Sequence, residues 1–287
     1  MKRKFTADKE CSLVRFLESE LAGVSRERIK IQLKRGEVRV NGEKITRDLP
    51  INSGDGVEIF LPAKFDLPAI PVIYQDENIM IADKPPFIES EFALPKAILE
   101  QTGEKVYAAH RLDTNTTGLV ILCKSQTALN CVISAFRDKR VKKKYVARVF
   151  GCPECDGGTL TAYLVKNAEN SYCKVCDKQV KDGKEIVTEY KVLLRGEQSV
   201  LLLSPVTGRT HQLRAHMAHI GCPIVGDDKY GDCAANRKAG AKRQKLRAVS
   251  LEFGELDTPL TYLSGKRYST DAGNDIIFAN EKNFVLI

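Results

Sequence analysis

The sequence lacks several features that mark whole classes of protein. No apolar run among its 287 residues approaches the roughly 20 residues that cross a bilayer, and the charged N-terminus is not followed by the apolar core of a secretory signal. No phosphate-binding glycine loop, G-x-S-x-G motif or internal repeat is present. We therefore expect no membrane association and no serine hydrolase, but a cytoplasmic protein whose nine cysteines are reduced thiols.

What is present is an ordinary globular composition with an excess of basic residues. Hydrophobic residues make up 43% of the chain, which is enough for a full core, and the length suits one large domain with or without a small one. The formal charge of +8 and the pI of about 8.9 favour a polyanionic partner. Moderately basic proteins without such a partner are nevertheless common, so charge alone does not assign a function.

The stretch from His110 to Ser125 organises the rest of the chain. A turn rich in Asp, Asn and Thr is followed by Gly118 and by an apolar run of strand length. This pattern predicts that Asp113 lies on a tight loop beside Arg111, leading into a buried strand. A carboxylate held rigidly next to a guanidinium is a candidate nucleophile or base. Because ion pairs in turns are common, spacing alone favours a structural Asp that caps the turn.

Two further segments change that balance. They are K-K-K-Y-V-A at 142–147 and G-R-T-H-Q-L-R at 208–214, the latter continuing through G-D at 226–227 to Y-G at 230–231. Together with H-R-L-D at 110–113 and the following T-T-G, they resemble, in the same order, the motifs of the RluA-type pseudouridine synthases. The chain departs from the family where Thr117 replaces the usual Ser, and in the segment D-K-P-P-F, where N-K-P-x-G is usual.

The resemblance implies a fold, a reaction and three catalytic residues. The fold is an α+β domain with a mixed, mostly antiparallel sheet, and the reaction is the isomerisation of uridine to pseudouridine in RNA, without a metal or other cofactor. Asp113 would attack the sugar or the base, or remove a proton from the sugar, and these alternatives stay open. Arg209 would pair with Asp113 and keep it ionised, and Tyr145 would stack on the target uracil.

The same resemblance implies residues that bind RNA. Arg111 would fill the gap that the target base leaves when it flips out of its stack. Gln212 and Arg214 would bind phosphate or support the other site residues. The basic run 137–144 leads into Tyr145, where phosphate contact competes with the interpretation of a solvated surface. The RNA-binding residues predicted in this domain are Arg111, Lys143, Lys144, Gln212 and Arg214.

A smaller unit precedes this domain. Residues 12–61 show two short helical patterns, a V-x-V-N-G hairpin signal and a G-D-x-V strand, which resemble an alpha-L RNA-binding domain of the ribosomal small-subunit type. The second helix has a basic face that would contact RNA phosphates or be simply solvated. Ribosomal RNA is the first expected substrate and transfer RNA the second. The predicted basic face consists of Arg26, Arg28, Lys30 and Lys34.

These patterns divide the chain into an N-terminal RNA-binding domain at residues 1–61, a proline-containing linker at 62–71 and a catalytic domain at 72–287. Within the last region, paired strands are expected at 72–74 and 79–82, a helix at 126–139, strands at 187–194 and 199–203, and a further strand or packing segment at 276–284. Thr210 is expected to cap a helix that begins after it. We expect a monomer.

Nine cysteines raise a separate question. Two C-x-x-C pairs separated by 17 residues have the spacing of a zinc ribbon. Against zinc, the second pair is predicted on a strand, where positions three apart face opposite sides. The family that the chain resembles needs no metal there, so the sequence leaves the question open. The four residues concerned are Cys152, Cys155, Cys173 and Cys176.

Two rival functions follow from these observations. A non-catalytic RNA-binding protein would need the basic faces but not Asp113, Tyr145 and Arg209 together. A zinc-dependent nucleic-acid enzyme would need the four cysteines as ligands. The pair His216 and His219 is a weaker metal candidate, because the chain has no H-E-x-x-H spacing and no evident carboxylate ligand beside it.

Overall fold

The computed structural model describes residues 2–21, 24, 26–61, 69–167 and 172–271. No helix in those ranges is both long and apolar enough to cross a membrane. The segment expected at 276–284 and most of the predicted linker lie outside the described residues. So do Gly23 and Ser25, which by residue type would end the first helical pattern and cap the second.

The N-terminal unit is a small α+β body with its own core. In the four-stranded sheet the order is β1-β6-β3-β4, and β2 pairs with β5. The elements are β1 (Lys2–Thr6), β2 (Cys11–Ser12), α1 (Leu13–Glu20), α2 (Arg26–Arg35), β3 (Val38–Val40), β4 (Glu43–Ile45), β5 (Pro50–Ile51) and β6 (Gly56–Phe60).

Local chemistry explains the predicted parts of this unit. Ser12 caps α1 by accepting the Arg15 N–H at 3.3 Å. Asn41 and Gly42 have φ of 51° and 86°, which is the left-handed pair that a tight hairpin turn requires. The sequence pattern was placed at 12–61, but the unit also uses β1, which pairs with β6 along five residues. The segment has a single apolar residue, Phe5, among basic ones, so no hydrophobic alternation indicates this strand in the sequence.

The larger region contains an eleven-stranded sheet. Nine strands run in the order β13-β12-β14-β15-β11-β16-β10-β8-β7, while β9 pairs with β10 and β17 with β16. The strands are β7 (Val72–Gln75), β8 (Ile79–Lys84), β9 (Tyr107–Ala108), β10 (Thr117–Cys123), β11 (Val141–Phe150), β12 (Gly157–Lys166), β13 (Cys173–Cys176), β14 (Lys184–Leu194), β15 (Gln198–Pro205), β16 (Leu246–Phe253) and β17 (Arg267–Ser269). The helices are α3 (Ala93–Thr102), α4 (Gln126–Arg137), α5 (Gln212–His219), α6 (Cys233–Lys238) and a short 3-10 helix (Thr261–Leu263).

Among these strands the pairing is antiparallel except between β10 and β16, so the predicted α+β class with a mixed, mostly antiparallel sheet is confirmed. Alternate residues of each strand enter two cores on opposite faces. On one face α3 and α5 pack against Val120 and Ala147, and on the other α4 packs against Leu119 and Ile121. The functional cavity lies on the α5 side.

Gly118 allows the central strands to meet. Its φ is +107°, and a Cβ at this position would lie 2.0 Å from the Ala248 carbonyl oxygen. Only glycine fits where two backbones approach this closely. The break in the apolar pattern at Gly118 is therefore the point where β10 leaves the loop of Asp113 and joins β16.

Most expected elements of this region are confirmed, and one local prediction is wrong. The strands at 72–74, 79–82, 187–194 and 199–203 and the helix at 126–139 are present, with boundaries that differ by up to three residues. Thr210 does not cap α5. The N-cap is His211, which adopts a left-handed conformation with φ of 56° and makes no side-chain capping bond. A non-glycine residue in this conformation has a low sequence signal and is frequent at functional sites.

Candidate active site

A cavity of about 150 Å³ opens on the α5 side of the sheet. An apolar cavity of about this volume in another protein admits benzene, so the space suits a planar six-membered ring. The lining residues come from the loop before β10, from β11, from the segment joining β15 to α5, and from the start of β16. They include Arg111, Asp113, Lys143, Tyr145, Arg209, His211, Gln212 and Arg214. The fold thus brings together residues more than 100 positions apart.

The carboxylate of Asp113 is held by a buried charge network. Its Oδ2 accepts a hydrogen bond from Arg214 Nη1 at 3.0 Å. The same guanidinium binds Asp227 through two further bonds, Nε to Oδ2 at 2.6 Å and Nη2 to Oδ1 at 2.9 Å. Arg214 is 9% exposed and Asp227 2% exposed. Asp227 therefore fixes Arg214, and Arg214 fixes the direction of Asp113.

The electrostatics of Arg214 follow from this arrangement. Burial acts to lower its pKa, but the hydrogen bond and charge of Asp227, with a further contribution from Asp113, raise the pKa above its usual value. Arg214 is consequently a permanent cation at the cavity wall. A bidentate cation that bonds two carboxylates requires the planar fork of arginine, which a lysine ammonium does not offer.

A buried lysine holds the loop of Asp113 from behind. Lys84 Nζ donates to three backbone carbonyls, those of Pro85 at 3.1 Å, Ile88 at 2.9 Å and Thr114 at 3.1 Å. Burial lowers the pKa of Lys84 to about 7, against the charges of Asp113 and Glu89, which raise it. The loop is thereby tied to the end of β8.

Ser90 and Phe87 complete this backing of the loop. The Ser90 hydroxyl donates to the Leu112 carbonyl at 2.9 Å and accepts the Leu112 N–H at 3.0 Å. The Phe87 N–H donates to the Thr114 carbonyl at 2.9 Å. The residues on both sides of Asp113 are therefore fixed by backbone bonds, and the carboxylate is presented from a rigid support.

Tyr145 forms the apolar wall of the cavity. It lies on β11 between Leu203 and Ala248, where the register with β16 shifts by one residue. Such a bulge redirects a side chain, and bulges are frequent beside active sites. Lys143 lies two positions earlier on the same strand, with its Nζ 6.0 Å from the centre of the Tyr145 ring. The aromatic face and the cation therefore belong to one surface.

His211 and Tyr230 form the third side of the site. His211 Nδ1 lies 2.8 Å from the Tyr230 hydroxyl, and Nε2 lies 4.0 Å from Asp113 Oδ1. The Tyr230 oxygen also accepts the Cys173 N–H at 2.9 Å, and the direction of its bond with His211 Nδ1 depends on the imidazole tautomer. Burial, with opposing charge effects from Asp113 and Arg214, lowers the pKa of His211. A neutral imidazole thus faces the Asp113 carboxylate.

Gln212 shapes the segment that joins β15 to α5. Its Oε1 accepts from Thr207 Oγ1 at 2.8 Å and from Arg209 N at 3.1 Å, and its Nε2 donates to Val187 O at 3.0 Å and Thr188 Oγ1 at 3.2 Å. All four hydrogen-bonding positions of the amide are occupied. Of the two roles expected for Gln212, support of the other site residues fits these bonds, because the side chain holds the cavity wall. Contact between Gln212 and RNA stays a prediction.

The two arginines of the 208–214 segment exchange their expected roles. Arg214 makes the ion pair with Asp113 that was predicted for Arg209, because the third residue of α5 points to Asp113 and Arg209 lies before the helix. Arg209 is exposed at the cavity rim. Arg214 bonds two carboxylates, so of its two expected roles the support of other site residues fits the structure, and contact with RNA phosphate stays a prediction.

The other predicted site residues divide by exposure. Arg111 is exposed at the cavity, and Lys143 is half-buried in its wall. Lys144 is half-buried on β11 outside that lining. On α2 the four predicted residues form an exposed basic face separate from the cavity. They are Arg26, Arg28, Lys30 and Lys34.

Several contributors to the site were not predicted by residue. Lys84, His211, Asp227 and Tyr230 belong to the family-like motifs, but the motifs alone do not indicate what each residue does. The only local signal is that Lys84, Asp227 and Tyr230 each adjoin a proline or glycine. The role of each residue is set by the burial of its side chain and by its hydrogen-bond or ion-pair partner. Both depend on how segments far apart in the sequence pack together.

The cysteines and helical histidines have other neighbours in the structure. Cys173 is buried and donates its thiol to the Thr210 carbonyl at 3.4 Å, whereas Cys152 accepts from Arg195 Nη1 at 3.1 Å. His216 contacts Thr188 Oγ1 at 3.1 Å and His219 contacts Asp177 at 2.6 Å. In the described ranges no three His, Cys, Asp or Glu side chains converge as metal ligands.

The family model described as RNA pseudouridylate synthase matches residues 78–219. Among solved structures, the human RNA pseudouridylate synthase domain-containing proteins 1 and 4 superpose with TM-scores of 0.61 and 0.58 at 24% identity, over 72% and 71% of this chain and 86% and 89% of theirs. These structures support the fold.

Curated relatives take the assignment further. Ribosomal large subunit pseudouridine synthase C of Vibrio cholerae is 30% identical over 83% of this chain and 83% of its own length. The Salmonella typhi protein of the same name is 31% identical over 83% of each chain. The chain belongs to the RNA pseudouridylate synthase family, and it is an enzyme that isomerises uridine to pseudouridine in RNA.

Proposed function

We propose that this synthase modifies a uridine of ribosomal RNA, with Asp113 as the reacting carboxylate and the target base turned out of the RNA into the cavity. The observation that carries the proposal is the Asp113 carboxylate, directed at the cavity by the buried Arg214–Asp227 pair. Relatives named for the ribosomal large subunit support the choice of RNA.

The ion pair suits a carboxylate that reacts as an anion. Arg214 Nη1 donates to one carboxylate oxygen of Asp113, Oδ2, at 3.0 Å, while the other oxygen, Oδ1, lies 4.0 Å from His211 Nε2. The Asp113 side chain is 19% exposed, so it is accessible from the cavity but poorly solvated. An anion with little water around it is a better nucleophile or base than one in bulk solvent.

The cavity suits the base. The volume of about 150 Å³ matches a pyrimidine ring, and Tyr145 offers an aromatic face for stacking. Turning a base out of its stack costs a few kcal/mol. Arg111, exposed at the cavity mouth, is suited to fill the vacated position, and stacking of its planar guanidinium on the neighbouring bases would offset part of that cost.

The reaction is balanced without any external group. The bond from C1′ to N1 breaks, the base rotates and a bond from C1′ to C5 forms, after which C5 loses a proton and N1 gains one. Asp113 would attack the sugar, attack the base or remove a sugar proton, and Tyr145 would assist the proton transfer at C5. The Asp113 carboxylate is suited to each of these routes, because it lines the cavity in which the base would rotate.

The N-terminal unit and the basic residues of the larger region would bind the RNA backbone. Exposed lysines and arginines on α2 neutralise phosphates and give affinity without sequence choice. Removal of residues 1–61 is expected to weaken RNA binding while some turnover survives. Unchanged binding of a transcript by the shortened protein would contradict this role.

The proposal is tested by mapping pseudouridine across ribosomal and transfer RNA in cells with and without the gene. The deleted cells are complemented either with the intact gene or with Asp113→Asn, which keeps the size of the side chain but removes its charge. We expect one or more ribosomal uridines to lose the modification on deletion and to regain it only with intact Asp113. Purified Asp113→Asn should bind the same RNA with near-normal affinity and lose at least roughly 10⁴-fold in turnover.

Other outcomes would redirect the assignment. A site that appears in transfer RNA alone contradicts the choice of ribosomal RNA and leaves the reaction intact. Normal turnover by Asp113→Asn contradicts the role of the carboxylate. If the protein binds RNA but no uridine changes with the gene in either RNA class, a non-catalytic RNA-binding protein replaces the synthase.

A further inference from the structure

An exposed aromatic residue adjoins the active site without belonging to the cavity. Tyr172 immediately precedes β13 and is 40% exposed. Its ring stacks on Tyr230 with a centroid distance of 4.9 Å and an interplanar angle of 25°. One face of Tyr172 is thus supported by a second aromatic ring, while the residue keeps a large accessible surface.

The start of β13 is anchored to the cavity wall. Cys173, the next residue, donates its N–H to the Tyr230 hydroxyl at 2.9 Å and its thiol to the Thr210 carbonyl at 3.4 Å. At the far end of the strand, Asp177 bonds His219 of α5 at 2.6 Å. These contacts hold Tyr172 at a fixed position relative to the segment of Thr210, which lines the cavity.

The stack continues inward to the Asp113 network. The Arg214 guanidinium lies 5.1 Å from the Tyr230 ring centre, and the His211 ring meets Tyr230 edge-on at 5.6 Å. Arg214 and His211 both line the cavity. Tyr172 is therefore separated from the cavity by a single aromatic layer, a spacing that suits a nucleotide next to one whose base occupies the cavity.

The surroundings are those of a platform for single-stranded RNA. Three exposed basic residues lie close in sequence to the residues of this stack and its anchor. They are Lys174, Arg209 and Lys229. Proteins hold unstacked nucleotides by combining an exposed aromatic face with cations that follow the backbone. A tyrosine that served only to cover Tyr230 would be replaceable by any apolar side chain without a change in RNA binding.

We propose that Tyr172 stacks on the base of a nucleotide adjacent to the target uridine and so forms a second base-binding subsite of the enzyme. The proposal rests on the entry of the target base into the cavity proposed above. If Tyr172 acts in this way, part of the substrate preference comes from the nucleotide next to the target. Stacking is favoured by the larger ring system of a purine and is lost where the base is missing.

The test compares Tyr172→Phe and Tyr172→Leu on a synthetic RNA hairpin that contains the uridine found by mapping. We expect Tyr172→Leu to raise Kd and KM roughly 5- to 150-fold, the range of one base–aromatic stack, while the single-turnover rate at saturating RNA changes much less. Tyr172→Phe should stay close to the unchanged protein. Tyr262→Leu is the matched control, because Tyr262 is also 40% exposed but contacts Asp76 at the turn between β7 and β8.

A second arm leaves the protein unaltered. The base of the nucleotide on the 5′ side, or of that on the 3′ side, is removed to give an abasic hairpin. With one of the two abasic hairpins, the unchanged enzyme should lose as much affinity as Tyr172→Leu loses with the intact hairpin. Tyr172→Leu should bind that abasic hairpin no more weakly than it binds the intact one. Independent, additive losses on both hairpins would overturn the subsite. Normal pseudouridine formation by the unchanged enzyme in that case would leave the proposed reaction standing.

Discussion

The cavity around Asp113 and the basic face of α2 use charge in opposite ways. In the cavity, Arg214, Asp227 and Asp113 are buried or nearly so, and the hydrogen bonds of the guanidinium have defined acceptors. On α2, Lys30 and Lys34 are exposed. A buried ion pair fixes the direction of its side chains, and the protein is strongly destabilised when one partner is removed. Exposed cations attract RNA phosphates over a distance, their contributions add, and salt weakens them.

The sharpest test of this comparison is substitution within the 208–214 segment. Arg214→Met would leave the buried carboxylate of Asp227 uncompensated, and we expect a loss of about 3–5 kcal/mol in the free energy of unfolding. Arg214→Lys keeps a charge but cannot bond both carboxylates, so a folded protein with turnover reduced by roughly 10² or more is expected. Chemical denaturation and single-turnover pseudouridine formation measure the two effects.

Arg209 supplies the matched control for this prediction. It lies five positions earlier in the same segment but is exposed at the cavity rim. Arg209→Met and Arg209→Lys are expected to leave stability within about 0.5 kcal/mol of the unchanged protein, as is usual for surface substitutions. Turnover collapsing with Arg209→Lys and surviving with Arg214→Lys would show that the original assignment of Arg209 was correct and that the arrangement described here does not operate.

The buried lysine gives a prediction with a pH signature. The pKa of Lys84 is lowered to about 7 in the folded protein, whereas an unfolded lysine titrates near 10.4. Between these values the unfolded chain binds more protons than the folded one, so the contribution of Lys84 to stability rises with pH, by at most about 1.4 kcal/mol per pH unit. Lys84→Met removes this titration.

Denaturation curves of the unchanged protein and of Lys84→Met, recorded from pH 7 to pH 10, check the prediction. The difference in the free energy of unfolding between the two proteins should move in favour of the unchanged protein as the pH rises. A difference that is constant over this range would mean that Lys84 stays fully charged inside the fold, with its three carbonyl acceptors outweighing the cost of burial. Lys105→Met, which removes an exposed lysine, is the control for any general effect of losing one positive charge.

The sequence was informative where structure depends on neighbouring residues. The hairpin at Asn41 and Gly42, the strand after Gly118 and the helix α4 are present as expected, since turn chemistry and hydrophobic period are local properties. The family motifs also identified Asp113 and Tyr145 as residues that meet at one cavity. These features need no knowledge of how distant segments pack.

The choice between Arg209 and Arg214 shows where such reasoning stops. Both arginines belong to the same seven-residue segment, and their side chains are chemically identical. The start of α5, set by the left-handed conformation of His211, decides which of them faces Asp113. The roles of Gln212 and Lys84 depend in the same way on β14 and on the carbonyls of a loop 30 residues away. Pairing of buried groups is a property of the packed fold.

The smallest expected effects belong to α2. The double substitution Lys30→Gln and Lys34→Gln should weaken RNA binding modestly and leave the single-turnover rate at saturating RNA unchanged. Each lost phosphate contact is expected to reduce the slope of log K against log salt concentration by roughly 0.7 to 0.9. Filter binding of the hairpin at several salt concentrations measures the slope.

The matched control for α2 is Lys105→Gln with Lys266→Gln, two exposed lysines of the larger region that belong to neither basic surface. Their removal changes the net charge by the same amount, so any general effect of charge on RNA attraction appears equally in both double variants. A difference in slope between the two variants therefore reports contacts at α2 itself. If both variants give the same slope, α2 attracts RNA only through the overall electric field of the protein. The buried charges around Asp113 would then act through fixed hydrogen bonds, and the lysines of α2 only through their contribution to the net charge.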